Sequence, residues 1–192
     1  MENHPTKKRI EITLLILLIV FTSGCSKAGA SVNENYAVTG DADGAPVGCG
    51  PQDIADRTVE MFNAINRGDP NLVDEYFGRR SNAPFQWYSM TIVRNNDTVI
   101  THFVAHTWDD LDAYFRLRYQ HHEQMRLLSV QFNSWNSAIG VVDFGPIEIV
   151  RHADDLVPGL LLSENIASGK GTYHCKTRAF IVLSLVMDMK DP

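Results

Sequence analysis

Positive charge is scarce in this 192-residue chain, where 17 Lys and Arg stand against 23 Asp and Glu for a net charge of −6. No stretch gathers the cations into the basic face that phosphate binding needs, which argues against nucleic acid as a partner. Long apolar runs are also missing. The N-terminal run Ile12 to Phe21 holds about ten residues, well short of the ~20 that span a bilayer, so a single transmembrane helix is disfavoured. Cysteine is rare, with only Cys25, Cys49 and Cys175, and no local motif around them supports an activated nucleophile. Gly169-Lys170-Gly171 lacks the spacing of a phosphate loop and a following Ser or Thr that opens a helix, so it reads as a turn into a strand.

What is present begins with Lys7, Lys8 and Arg9, then the apolar run, then Thr22-Ser23-Gly24-Cys25. A basic region, a short apolar region and small residues before a cysteine make a secretory signal. The pattern resembles the lipobox of bacterial lipoproteins, in which cleavage before the cysteine leaves a thiol that carries a diacylglyceryl group. Ser23, Gly24 and Cys25 match it, while Thr22 stands where leucine is usual and leaves ordinary cleavage as the alternative. The resemblance implies residues 1–24 as signal, a lipidated, palmitate-bearing Cys25, and a protein tethered outside the cytoplasmic membrane, on the cell membrane or an outer membrane. Loss of Lys7, Lys8 and Arg9 with Glu2 and Glu11 moves the net charge from −6 to −7. In an exported chain Cys49 and Cys175 are left as an even pair, and a disulfide between them is the leading expectation. Two buried free thiols are the alternative.

Residues 26 to about 50 are rich in Ser, Gly, Ala, Asn and Asp with few bulky apolar groups, a composition expected to stay disordered, so 25–50 reads as a tether and 51–192 as one domain. From Pro51 the apolar positions Ile54 or Ala55, Thr58 or Val59, Phe62 and Ile65 recur at helical spacing up to Gly68. Asp69 as cap, Pro70 and the stripe Leu72, Val73, Tyr76 and Phe77, ending at Gly78, predict a second helix. Phe85 to Val93 and Thr98 to Val104 read as a hairpin around Asn95-Asn96-Asp97. Thr107 with Asp110 caps a third helix, whose buried face draws on Trp108, Leu111, Phe115 and Leu117 or Tyr114, and whose end suits Arg116, Arg118, His121 and His122. Arg126 to Phe132, Ala138 to Phe144 and Tyr173 to Met187 are strand candidates, and Arg151 to Gly171 a long crossing loop of the kind that forms lids or binding loops.

This order of elements resembles the nuclear transport factor 2-like superfamily. The closest local likeness is Val59-Glu60-Met61-Phe62-Asn63-Ala64-Ile65-Asn66-Arg67-Gly68-Asp69 running into Leu72-Val73-Asp74-Glu75-Tyr76-Phe77. The resemblance implies an α+β fold, a curved antiparallel sheet wrapped against three helices as a cone with an apolar pocket. Some members are isomerases, dehydratases or cyclases, others only bind, and members often pair through the open sheet face. Trp87, Tyr88, Trp108, Phe115 and His174 are the candidate ligand-binding residues. If the protein is an enzyme, Asp143 is the expected base, because a carboxylate on the apolar face of Ile139 and Val141 needs a partner or a purpose; His102 and Tyr88 are its candidate helpers. The structural alternative pairs Asp143 with Arg126 or Arg178. His102 and His106 straddle a strand end and need not converge, while His152, Asp154 and Asp155 read as a solvated turn, so neither metal nor cofactor is expected. The reading favoured is a lipid-anchored domain that binds a small apolar ligand or a protein partner without chemistry; a lyase or isomerase and a structural homodimer are the alternatives.

Overall fold

Local signals set the helices. In the computed structural model, which describes residues 36–81, 85–93, 98–155 and 166–189, helix α1 is Pro51–Arg67 and buries Ile54, Ala55, Thr58, Met61, Phe62, Ala64 and Ile65 on one face. Pro51 opens it, and Gly68 at φ 64° closes it. Helix α2 is the short Leu72–Tyr76, capped by Asn71. The cap thus falls two residues after the expected Asp69, whose carboxylate accepts the Asn71 N–H at 2.8 Å. Helix α3, Trp108–Gln120, starts with the expected capping box: the Asp110 N–H donates to Thr107 Oγ1 at 3.1 Å and the Thr107 N–H to the Asp110 carboxylate at 3.0 Å. Its buried face is Leu111, Tyr114, Phe115 and Arg118, whereas Leu117 is exposed.

Among the described residues seven strands form one sheet: β1 Ala37–Gly40, β2 Gln86–Val93, β3 Thr98–Ala105, β4 Gln124–Asn136, β5 Val141–His152, β6 Ile166–His174 and β7 Ala179–Met189, in the order β1-β4-β5-β6-β7-β2-β3. The pairing is antiparallel except for β1 with β4 and β2 with β7, which are parallel. The expected hairpin of β2 and β3 forms, pairing Trp87 with Ala105 and Met90 with His102. The α+β class therefore holds, with three helices on an open sheet.

Several boundaries differ from the sequence reading. Residues 36–50 are docked, because pairing and covalent linkage supply the order that composition alone does not: β1 lies on β4, and Ala42 and Cys49 are buried. Cys49 and Cys175 are bonded across a sequence separation of 126 with Cα atoms 5.8 Å apart. Ala138 belongs to the β4–β5 turn, and β5 runs past Phe144 through Gly145 and Pro146 to His152. The segment expected as one strand from Tyr173 is broken by a turn at 175–178. Gly169-Lys170-Gly171 sits inside β6, not in a turn, so the end of the supposed crossing loop is strand; 156–165, its middle, lies outside the described residues, as do residues 1–24, expected as a signal, and Cys25. Among the described residues no helix is long and apolar enough to cross a membrane.

Candidate functional site

Alternation in the strands sends each side chain to one of two faces. On β5 the sequence Val142, Phe144, Ile147, Ile149 and Arg151 turns toward the helices, the bulge between Phe144 and Ile147 keeping the phase. Trp87 and Ser89 of β2, Tyr173 of β6 and Leu183 and Leu185 of β7 join them. This side is filled. Trp87, wholly buried, meets the Phe115 ring at 5.0 Å, the Tyr114 ring at 5.7 Å and the Phe77 ring at 5.8 Å. Aromatic edges and faces at such spacings are core packing.

The five candidate ligand-binding residues are therefore not one wall. Trp87 and Phe115 are core. Trp108 stacks on Phe85 with centroids 4.0 Å apart. His174 sits at the end of β6, where its Nδ1 accepts the Thr177 N–H at 3.2 Å. Tyr88 lies on the opposite face of β2 from Trp87 and directs its hydroxyl to Met90 Sδ at 3.2 Å.

Asp143 also lies on that open face. Val142 and Phe144 point inward, so the carboxylate shares its side with Val141 but not with the core. Its partner is neither Arg126 nor Arg178; Thr172 on β6 donates to Asp143 Oδ1 at 2.6 Å. Arg126 is opposite Val150, far along β5, and Arg178 lies beside the Tyr173 hydroxyl. Two strands, β6 and β7, separate Asp143 from Tyr88 on β2, a spacing of roughly 14 Å at ~4.8 Å per strand. His102, on β3, is one strand further still, and its side chain lies outside the described residues. The expected acid–base trio is not assembled.

Around Asp143 the open face forms a groove of about 680 Å³ lined by Asn133, Pro146, Lys170, Thr172, Val182, Ser184 and Val186 among others. Asn133 donates to the Gly145 carbonyl at 2.9 Å, holding the bulged part of β5. Gly169 and Gly171 keep β6 low beneath the groove. A Cβ on Gly169 would lie 2.0 Å from the Ser184 carbonyl oxygen, and one on Gly171 would lie 2.4 Å from the Phe144 ring.

The most charged cluster was not singled out from sequence. Glu123, fully buried, accepts from Arg151 Nε through one oxygen and from Arg118 Nε at 2.7 Å through the other. Arg151 also donates to Ser89 Oγ at 2.8 Å and to the Tyr114 hydroxyl at 3.0 Å. Arg118 completes its fork on Asp155, with N–O distances of 2.7 and 2.6 Å. These hydrogen bonds from Arg118 hold the Asp155 carboxyl below its usual range. Two guanidinium cations and two carboxylates cancel, and the cluster ties α3, β2 and the end of β5 together. Beside it His122 Nδ1 meets Asp154 at 2.6 Å. The turn expected to be solvated is thus held by paired groups.

No family model matches the chain, and no curated protein gives a match. Solved structures do. A putative calcium/calmodulin dependent protein kinase II association domain from Xanthomonas campestris is 12% identical over 80% of this chain and 97% of its own, with a TM-score of 0.48. An NTF2-like protein of unknown function from Cytophaga hutchinsonii is 10% identical over 70% and 88%, with a TM-score of 0.37. A putative SnoaL-like polyketide cyclase from Shewanella denitrificans is 12% identical over 70% and 89%, with a TM-score of 0.30. At these identities no residue role passes from one chain to another. The chain's own topology carries the conclusion: it is an α+β domain with an open sheet against three helices.

Proposed function

We propose that this chain is a non-catalytic binding domain, displayed outside a cytoplasmic membrane on a lipidated Cys25, that works through the open face of its sheet by pairing with a second copy of itself. The observation that carries the reading is the contrast between the two faces. The helix-facing side is occupied by its own rings and a paired ion cluster, which leaves an interior pocket for an apolar ligand without support. The open face instead presents half-buried Tyr88, Met90, Val104, Val182 and Val186 around the groove.

A second copy suits that face because its charges have both signs. Asp143 and Glu148 lie on it with Lys170 and Arg126, the last two exposed. A two-fold contact brings residue i of one copy against j of the other and j against i, so a surface of mixed sign complements itself. The apolar residues between the charges supply the area a stable contact needs.

Sedimentation equilibrium of the full chain in detergent, over a hundredfold range of concentration, tests the proposal. A dimer that Val182→Glu converts to monomer, with the melting temperature held within a few degrees, supports it. A monomer at every concentration, or a dimer indifferent to Val182→Glu, defeats it.

A further inference from the structure

A second concavity lies on the helical side, between the α1–α2 turn and α3. It is a groove of about 480 Å³ with an apolar floor of Ile65, Leu72, Val73 and Phe115, within the size range that takes small molecules. Its wall is the Tyr119 ring, half exposed and laid across the backbone of Gly68. A Cβ on Gly68 would come within 2.6 Å of that ring, and the φ of 64° there already favours glycine. The ring can lie so low only because Gly68 has no side chain, and the groove is formed before any ligand arrives.

The rim decides what would enter. Two carboxylates stand there, and both are engaged: Asp112 accepts from Arg79 at 2.7 Å, and Asp69 accepts the Asn71 N–H at 2.8 Å. The rim cation is different. The side chain of Arg116 is 74% exposed and its carboxylate contact, to Asp112, is at 3.9 Å, beyond hydrogen-bonding distance. A cationic ligand would meet Arg116 and find Asp112 already paired with Arg79 and one oxygen of Asp69 held by the Asn71 N–H. An anionic one would find a guanidinium fork able to take both oxygens of a carboxylate.

We infer that the groove between the α1–α2 turn and α3 is a binding site for a small amphipathic anion, an aromatic or short acyl body carrying one carboxylate. The body lies on Phe115 and against Tyr119, and the carboxylate reaches Arg116. The site is independent of the sheet face and does not rest on the pairing of two copies.

Photolabelling tests it, with 4-benzoylbenzoate as the probe and the full chain as the target. Saturable crosslinks, mapped by mass spectrometry to residues 65–73 or 112–120, are expected. Arg116→Gln should lower labelling at sub-saturating probe about tenfold, Tyr119→Ala should lower it as well, and Leu117→Ala, on the same helix but outside the groove, should leave it unchanged. Arg116 and Tyr119 are exposed, so neither substitution threatens the fold. Crosslinks that map to the sheet face, labelling that does not saturate, or labelling undiminished by either groove substitution would overturn the assignment.

Discussion

Glu123 is the side chain whose loss should hurt most. It is fully buried and answers two buried guanidinium groups at once. Removing its charge leaves Arg151 without its counter-ion in a low-dielectric interior, while Arg118 keeps Asp155, and breaking a buried pair in this way costs about 3–5 kcal/mol. Glu123→Gln should therefore lower the free energy of unfolding by that amount in a guanidinium titration, and Arg151→Met, which leaves Glu123 paired with Arg118, should cost less. Asp155 gives a pH signature. Arg118 lowers its carboxyl pKa in the folded state, so the pair adds stability above the ordinary value of 3.8 that is lost as pH falls through that value toward the depressed one. An Asp155→Asn variant should be less stable at neutral pH and lose less on acidification, and equal acid limbs for the two proteins would refute this. Arg151 was open to discovery in the sequence, since Ile147, Ile149 and Arg151 share one phase of β5. Asp143 drew attention instead because alternation sets it with Ile139 and Val141, but Ile139 is exposed in the turn and the inward phase is that of Val142 and Phe144. A polar residue in the inward phase marks an interior site; one between two inward residues marks the open face.

Elements whose signals are local were legible, and those set by distant partners were not. Caps, a first-turn proline and terminal glycines place α1 and α3 within a residue or so. Nothing near Gly169 and Gly171 announces a strand, because their requirement comes from Ser184 on the neighbouring strand and Phe144 across the pair. Adding one methyl there should force β6 away from β7 or displace the Phe144 ring, and Gly169→Ala should cost about 1–3 kcal/mol by overpacking, read from its urea midpoint. The N-terminal stretch misled for the same reason: β1 is held by β4 and by the Cys49–Cys175 bond, neither visible in its composition. Cutting that bond with a Cys49→Ser, Cys175→Ser pair removes a long-loop constraint on the unfolded chain, for which about 2–5 kcal/mol is typical. It should also expose 36–50 to limited proteolysis before the rest of the domain is cut. Unchanged stability with a protected N-terminal stretch would show that packing alone holds β1.

At the scale of the whole molecule, docking of residues 36–50 changes how the proposed anchor would act. Tyr36 already donates its hydroxyl to Asp56 and accepts from Gln52 at 2.9 Å on α1. If Cys25 carries lipid, only residues 26–35 lie between it and the docked Tyr36, a span that cannot exceed ~36 Å at full extension. A short leash of this kind would confine the domain near the membrane surface and keep neighbouring copies at high effective concentration, which would favour the proposed pairing through the sheet face. The diacylglyceryl group provides the two acyl chains that stable anchoring takes. Intact mass spectrometry of the exported protein should find a mature chain that begins at Cys25 and carries the added mass of the diacylglyceryl group. Cys25→Ala should move the protein from the membrane fraction to the soluble one and raise the concentration at which copies pair. An N-terminus beyond Cys25 without lipid, or a Cys25→Ala protein that still sediments with membranes, would rule out the anchor and with it the short leash.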